Sequence, residues 1–416
     1  MNVRRGNGVA LATMFMLFAM IQFLLNFAGS MGIVLQNQFG VSNALAQFGS
    51  AALYLAFLFL GLPGGLILGR FGYRRTAVVA TLFAVAAFAV QLVSGWVESF
   101  PVYVLGAFLS GGAACLLNLV VNPMLNSLGG GGNRGNRLVL IGCSLNLVCG
   151  MLAPIVTGLL VGGNVESAKV ADVAPVQAIG LVLFLLAFAV VWFSRRIPEP
   201  HPESASVRLA DLKAVFSCRH FAFGALAIFL YEIIECGIPN MANLYMGNME
   251  KVGPAVAGGV VSCYWLAMTL GCAVGGLVGG RVSPRTMMAF CSCLGVALLA
   301  AVMLLPLRLV TVFGVTLPQS MTLIPFCGFC TSIMWSSIFN LAVEGLGKRL
   351  ELASGVFMTM VCGGMLVSLQ GLLADHVGII GSYGLTIALF AYLLAYALLL
   401  SRPVSKSSPQ EEVCAQ

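Results

Sequence analysis

Two glutamates, Glu232 and Glu235, stand three residues apart in the otherwise apolar run AIFLYEIIECGIP. On a helix this spacing makes the two carboxyls neighbours on one face. A charge at the centre of a bilayer costs at least about 2.5–3.5 kcal/mol on insertion scales, so acids persist at that depth mostly where they face a cavity and act. Two close carboxylates in a low dielectric should not both ionise, so such a pair is suited to holding and exchanging a proton. A carboxyl that gains and loses a proton as its access alternates between two sides of a membrane can couple solute movement to a proton gradient. A buried structural acid is the plainer alternative, and it weighs more heavily on Glu232 than on Glu235.

Uncharged polar groups recur in the same kind of apolar setting: Gln22 and Asn26, Asn118 and Asn122, Ser144 and Asn146, Asn240 and Asn243, then Trp335 and Gln370. Amides bond hydroxyls in both directions, and an aromatic ring stacks on the C–H face of a sugar, so this set suits a polyhydroxylated ligand. Taken singly, each amide is equally suited to bonding one helix to another. Asn118 and Asn122 are one turn apart, and Pro123 loosens the backbone bonding beside them. No Lys or Arg falls at mid-depth, which argues against phosphate or carboxylate substrates.

These residues must be positioned by membrane helices. Of the 416 residues, 60% are hydrophobic and 8% charged, against about 25% charged in soluble domains. A water-soluble surface cannot be made from so few charges. The composition also excludes disulfide scaffolds and disordered regulators, and the net charge of +7 is not gathered into a nucleic-acid-binding patch. About 20 apolar residues cross the hydrocarbon, and twelve such spans are predicted, near 9–35, 44–69, 76–96, 101–127, 138–162, 175–194, 221–245, 254–280, 286–306, 319–345, 353–375 and 382–401. The segment 307–318 is expected either to extend a neighbouring helix or to form an outer loop. With the N-terminus inside, Lys169, Lys251 and Arg308 are the outer cations and the other 18 of the 21 Lys and Arg residues are inner. This asymmetry places both termini in the cytoplasm, in an all-α protein of the cytoplasmic membrane, its surface solvated by lipid.

Residues 64–76, GGLILGRFGYRRT, recur as GGLVGGRVSPRT at 275–286. Both follow the second span of a six-span set. The chain therefore divides into a half at 1–194, a polar cytoplasmic linker at 195–220 and a second half at 221–416, with a substrate site expected between the halves. Arg70, Gly72, Arg74 and Arg75 in the first loop, and Arg281, Arg285 and Glu344 in the second half, are candidates for a cytoplasmic gate; orientation and packing are the competing roles.

No cofactor or metal is expected. His201, His220 and His376 read as loop residues, and Cys327 and Cys330 read as small core thiols rather than a metal pair. Eleven of the thirteen cysteines fall inside spans, Cys218 and Cys414 on the cytoplasmic side, so no disulfide is expected. GGGGNRGNR at 129–137 lacks the GK[ST] and the preceding strand of a phosphate loop. Nothing supports an enzyme.

The stretches LPGGLILGRFGYRR (62–75), NLVVNPMLNSLG (118–129), YEIIECGIPNMANLY (231–245) and the long run from Ser332 to Asp375 resemble the major facilitator superfamily, and within it the branch of fucose, glucose and galactose symporters. The resemblance spans nearly the whole chain. It implies a monomeric carrier that takes up a sugar by alternating access with a coupled cation, proton or sodium, and it strengthens Glu235, which stands where glucose/galactose members have an acid. The chain departs from that pattern around Met31-Gly32, which replaces an Asn-Asp pair. It departs again at Asn118, which aligns with an acid, near Cys143, where a Gln is missing, and at Gly69, where the superfamily loop has an acid. Asn146 and Pro154 keep their places. The lost carboxylates leave open a facilitator or exporter of another small metabolite.

Overall fold

A computed structural model describes residues 3–30, 32–40, 43–161, 169–194, 197–198, 209–247, 249, 252–306 and 308–402. Met31, His201, Lys251 and Cys414 lie outside the described residues. Without water to bond, an apolar chain must satisfy its backbone internally, and helices do so within one segment. The helices in chain order are α1 (Val3–Ser30), α2 (Gly32–Phe39), α3 (Asn43–Val97), α4 (Phe100–Leu128), α5 (Gly132–Val161) and α6 (Ala174–Phe193). After them come α7 (Leu212–Ser217), α8 (Arg219–Gly247), α9 (Gly253–Val278), α10 (Pro284–Leu304), α11 (Ile324–Thr331) and α12 (Met334–Val343), and finally α13 (Leu350–Met360), α14 (Val367–Val377) and α15 (Ile379–Ala395).

Among the described residues eleven helical stretches are long and apolar enough to cross a membrane. One of them, Ala51–Val97, has 47 residues, about 70 Å at 1.5 Å per residue and twice what a bilayer requires. Its backbone leaves helical geometry at Gly72, with φ 81° and ψ 172°, a conformation open to glycine and little else. It is therefore two spans, and the total is twelve. The tenth span is assembled from a 3₁₀ turn (Gln319–Leu323) with α11 and α12, and the eleventh from α13 and α14 joined through a 3₁₀ turn at Val361–Leu366. Gly363 sits in that turn because a Cβ there would come within 2.2 Å of the Phe229 carbonyl oxygen on α8.

The segment expected to be helix or loop at 307–318 contains a β-hairpin. Leu309–Val312 pairs antiparallel with Val315–Pro318, and Phe313 and Gly314 turn the chain with φ of 51° and 81°. β-Branched residues on both sides of a two-residue turn favour this pairing over helix.

The chain forms two compact units. Unit 1 comprises Met1–Leu128, Leu145–Lys213 and Leu346–Thr359; unit 2 comprises Gly129–Ser144, Ala214–Gly345 and Met360–Gln416. In unit 1, α3 packs along α4 and α6, and α1 lies on α4. The seam between α3 and α13 is backbone against backbone: a Cβ on Gly65 would stand 2.7 Å from the Glu351 carbonyl oxygen and 2.7 Å from the Gly355 Cα. In unit 2, α9 packs on α8 and α11, α10 on α15, and α8 on α12 and α15. The start of α5 lies along the end of α9, where Gly275 and Gly279 face Leu140, and the Arg137 guanidinium donates to the Gly276 carbonyl at 3.1 Å.

One sequence expectation changes here. His220 is not in a loop: it is buried in the first turn of α8, with Nε2 2.8 Å from the Glu344 carbonyl oxygen.

Candidate functional site

In unit 2, α8 carries Glu232 and Glu235 in its middle. Glu232 is buried at 5% exposure, whereas Glu235 retains partial access. Tyr231, one turn before Glu235 and fully buried, brings its hydroxyl beside the Glu235 carboxyl without a hydrogen bond of good geometry. Tyr264, from α9, donates to the Glu235 backbone carbonyl at 3.2 Å and lies 3.0 Å from the Thr331 hydroxyl. Glu235 thus sits among hydroxyls and, among the described residues, forms no ion pair. Asn240 and Asn243, five and eight residues after Glu235 on α8, are exposed, and Trp335 on α12 is half-buried. At 100° per residue Asn240 falls about 140° around the helix from Glu235, so those two do not share a face. Gln370 on α14 is buried. Its Nε2 donates to Thr386 at 3.0 Å, while its Oε1 has no partner and lies against Gly237 of α8.

The amides of unit 1 are largely occupied by helix contacts. Gln22 donates to the Asn26 side chain at 3.1 Å, and Asn26 donates to the Gly150 carbonyl of α5 at 3.0 Å. Asn146 reaches from α5 to the Phe18 carbonyl of α1 at 2.6 Å. Together these side chains bond α1 to α5; Gln22 and Asn26 stay partly accessible. Asn118 and Asn122 turn onto their own helix: Asn118 donates to the Ala114 carbonyl at 3.0 Å, and Asn122 to both the carbonyl and the side-chain oxygen of Asn118 at 3.1 Å.

The gate candidates also have defined places. In unit 1, Arg74 donates to the carbonyls of Val191 and Trp192 at the end of α6, Arg70 stacks over Phe71, and Arg75 is exposed. In unit 2, Arg285 pairs with Glu344 at 3.1 Å and bonds the side chain and carbonyl of Ser401, while Arg281 is exposed. Cys327 and Cys330 are buried free thiols.

One acid was misplaced by sequence reasoning. Glu351, which falls between the predicted spans 319–345 and 353–375, lies in the first turn of α13 and is 2% exposed. The buried Tyr73 hydroxyl donates to its carboxylate at 3.0 Å. A helix N-terminus favours an anion, so the helix extends past the point where hydropathy stops. Tyr73, Tyr231, Tyr264 and Thr331 were also missed, because each becomes notable only through the group it touches.

A chain whose described residues form twelve apolar spans, with a carboxyl-bearing seventh span and irregular tenth and eleventh spans, is a polytopic helical membrane protein. The Major Facilitator Superfamily signature matches residues 11–369, and the chain belongs to that family. It is 24% identical over 405 residues to a glucose/galactose transporter of Brucella abortus, covering 96% of each chain. It is 21% identical to the L-fucose-proton symporter of Escherichia coli, covering 92% of each. The crystal structure of the superfamily transporter FucP in the outward conformation superposes with a TM-score of 0.82 at 16% identity, covering 95% of this chain and 100% of that one; at that identity the match speaks for the fold.

Proposed function

We propose that this protein is a secondary active transporter that moves a neutral sugar or sugar-like solute across the cytoplasmic membrane by alternating access, with proton symport through Glu235. The observation that carries the reading is a partly accessible glutamate in the middle of an apolar span, beside a tyrosine hydroxyl and, among the described residues, in no ion pair. An acid so placed is retained at a substantial cost, and reversible protonation is a use that requires it. The names of the relatives, a glucose/galactose transporter and an L-fucose-proton symporter, supply the substrate class and the coupling ion. Amides and Trp335 furnish the chemistry for hydroxylated ligands. The protein acts as a monomer with both termini in the cytoplasm, and Glu232 is a secondary candidate in coupling.

In proteoliposomes, Glu235→Gln is expected to keep sugar binding and sugar exchange at equal pH, and to lose accumulation driven by a proton gradient. Undiminished accumulation in that variant overturns the assignment. Replacing sodium by choline separates the sodium-coupled alternative. A second reading, a facilitator or exporter of another metabolite, is favoured by Asn118 in the place of an acid; it predicts that neither gradient concentrates any sugar.

A further inference from the structure

Pro239 lies inside α8, four residues after Glu235. Proline has no amide hydrogen and its ring crowds the carbonyl of residue i−4. The Glu235 carbonyl therefore lacks the i+4 amide donor of a regular helix. In apolar surroundings such a group needs another partner. The Tyr264 hydroxyl supplies it at 3.2 Å.

Several contacts hold that hydroxyl in place. Tyr264 is fully buried, and its ring meets Trp265 edge-on at 5.3 Å. Gly328 of α11 lets the two helices touch: a Cβ there would come within 2.2 Å of the Tyr264 backbone oxygen and 3.0 Å of its ring. The Thr331 hydroxyl is 3.0 Å from the Tyr264 hydroxyl and 3.0 Å from the Gly328 carbonyl. Each hydroxyl owns one hydrogen, so three arrangements compete. Thr331 donates to Tyr264 and Tyr264 to Glu235; or Tyr264 donates to Thr331 and Thr331 to Gly328; or Tyr264 donates to Glu235 and Thr331 to Gly328. The Gly328 carbonyl already accepts the Ser332 amide at 3.2 Å, whereas the Glu235 carbonyl has lost its amide donor to Pro239. The first and third pair the Glu235 carbonyl, and of these two the first alone also bonds the two hydroxyls to each other.

We infer that Tyr264 is a positioning residue for Glu235: it caps the carbonyl opened by Pro239 and so fixes the direction of the turn that carries the carboxyl, with Thr331 orienting the hydroxyl. The consequence for transport rests on Glu235 being the coupling carboxyl; the positioning role is tested separately. The measurement is the rate at which N,N′-dicyclohexylcarbodiimide modifies Glu235 in the purified full-length protein, read by peptide mass spectrometry. Tyr264→Phe removes the donor and keeps the ring; the rate is expected to rise about tenfold, the ratio equivalent to about 1.4 kcal/mol of lost hydrogen bonding. Adding Pro239→Ala returns an amide to the Glu235 carbonyl and is expected to bring the rate back to within about threefold of the original, a rescue that loss of packing would not give. Tyr383→Phe is the control. Its hydroxyl donates to the Ile238 carbonyl at 3.1 Å, which still has the Ala242 amide within its helix, so little change is expected.

A Tyr264→Phe rate within twofold of the original, or a double variant as fast as the single one, overturns the inference. Should Tyr264→Phe fail to fold, Thr331→Val decides instead: acceleration beyond that of Tyr383→Phe supports the relay, and no acceleration refutes it. Proteoliposome uptake runs alongside. An unmodified protein that accumulates no sugar on a proton gradient sinks the proton-symport reading, while the labelling rates still judge Tyr264.

Discussion

Gly65→Ala is a sharp test of how unit 1 is built. The added methyl would stand 2.7 Å from the Glu351 carbonyl oxygen and 2.7 Å from the Gly355 Cα, where non-bonded carbons prefer about 3.5–4.0 Å. Relief requires α3 and α13 to part by about 1 Å. Both obstacles are backbone, so no side-chain rotation can absorb the methyl. Sliding along the seam does not help, because a Cβ on Gly61 would meet the Thr359 nitrogen at 2.4 Å and one on Gly355 the Gly61 carbonyl at 2.9 Å. Overpacking of this kind costs about 1–3 kcal/mol, against about 0.5–1 kcal/mol gained when Ala replaces Gly in a helix. Gly258 on α9 is the matched control, since a Cβ there meets nothing within 4 Å and only the favourable part applies. At about 2–4 °C per kcal/mol for mid-sized domains, Gly65→Ala should melt several degrees below Gly258→Ala in detergent. Equal melting temperatures, within about 1 °C, would refute a backbone-contact seam between α3 and α13.

Two further expectations concern local chemistry. Tyr73→Phe deletes the buried donor to Glu351 and should lower stability by about 1–3 kcal/mol, read as a drop in melting temperature; no drop means the bond is not formed in the isolated protein. Phe313→Asn turns a non-glycine residue at φ 51° into the first residue of an Asn-Gly hairpin turn, the sequence that geometry favours. Melting should rise or hold, and a fall would contradict the hairpin.

The spans were legible because a bilayer enforces length and apolarity on each, and the Gly-rich loops were legible because they repeat. What lay hidden depends on partners distant in the chain. Tyr73 and Glu351 are 278 residues apart, so a scan of local hydropathy ends the helix before Glu351 and assigns the acid to water. Asn26 and Asn146 could be recognised as intramembrane amides, but not as donors already committed to Gly150 and Phe18. The hairpin is a different case: β-branched residues flank Phe313-Gly314, and the signal was present but masked by a turn that lacks the usual Asn-Gly. Pro239 four residues after Glu235 likewise announces an unpaired carbonyl, without saying which helix supplies the donor.

The acids can be told apart by what surrounds them rather than by depth alone. Glu344 has Arg285 at 3.1 Å and is half exposed. Glu351 is buried at a helix N-terminus, where the Tyr73 hydroxyl donates to it. Glu235 has partial access and neighbouring hydroxyls, a setting in which neither protonation state is locked by an ion pair. An acid held in one state contributes to the fold, whereas an acid free to change state can follow a gradient. The two amide substitutions should therefore separate. Glu351→Gln loses a charge-assisted bond at a buried site, so it should lower the melting temperature while the folded fraction still accumulates sugar on a proton gradient. Glu235→Gln keeps a polar group of the same shape, so it should spare the melting temperature and abolish that accumulation. If both variants lost stability and coupling together, the division of labour between these two acids would be wrong.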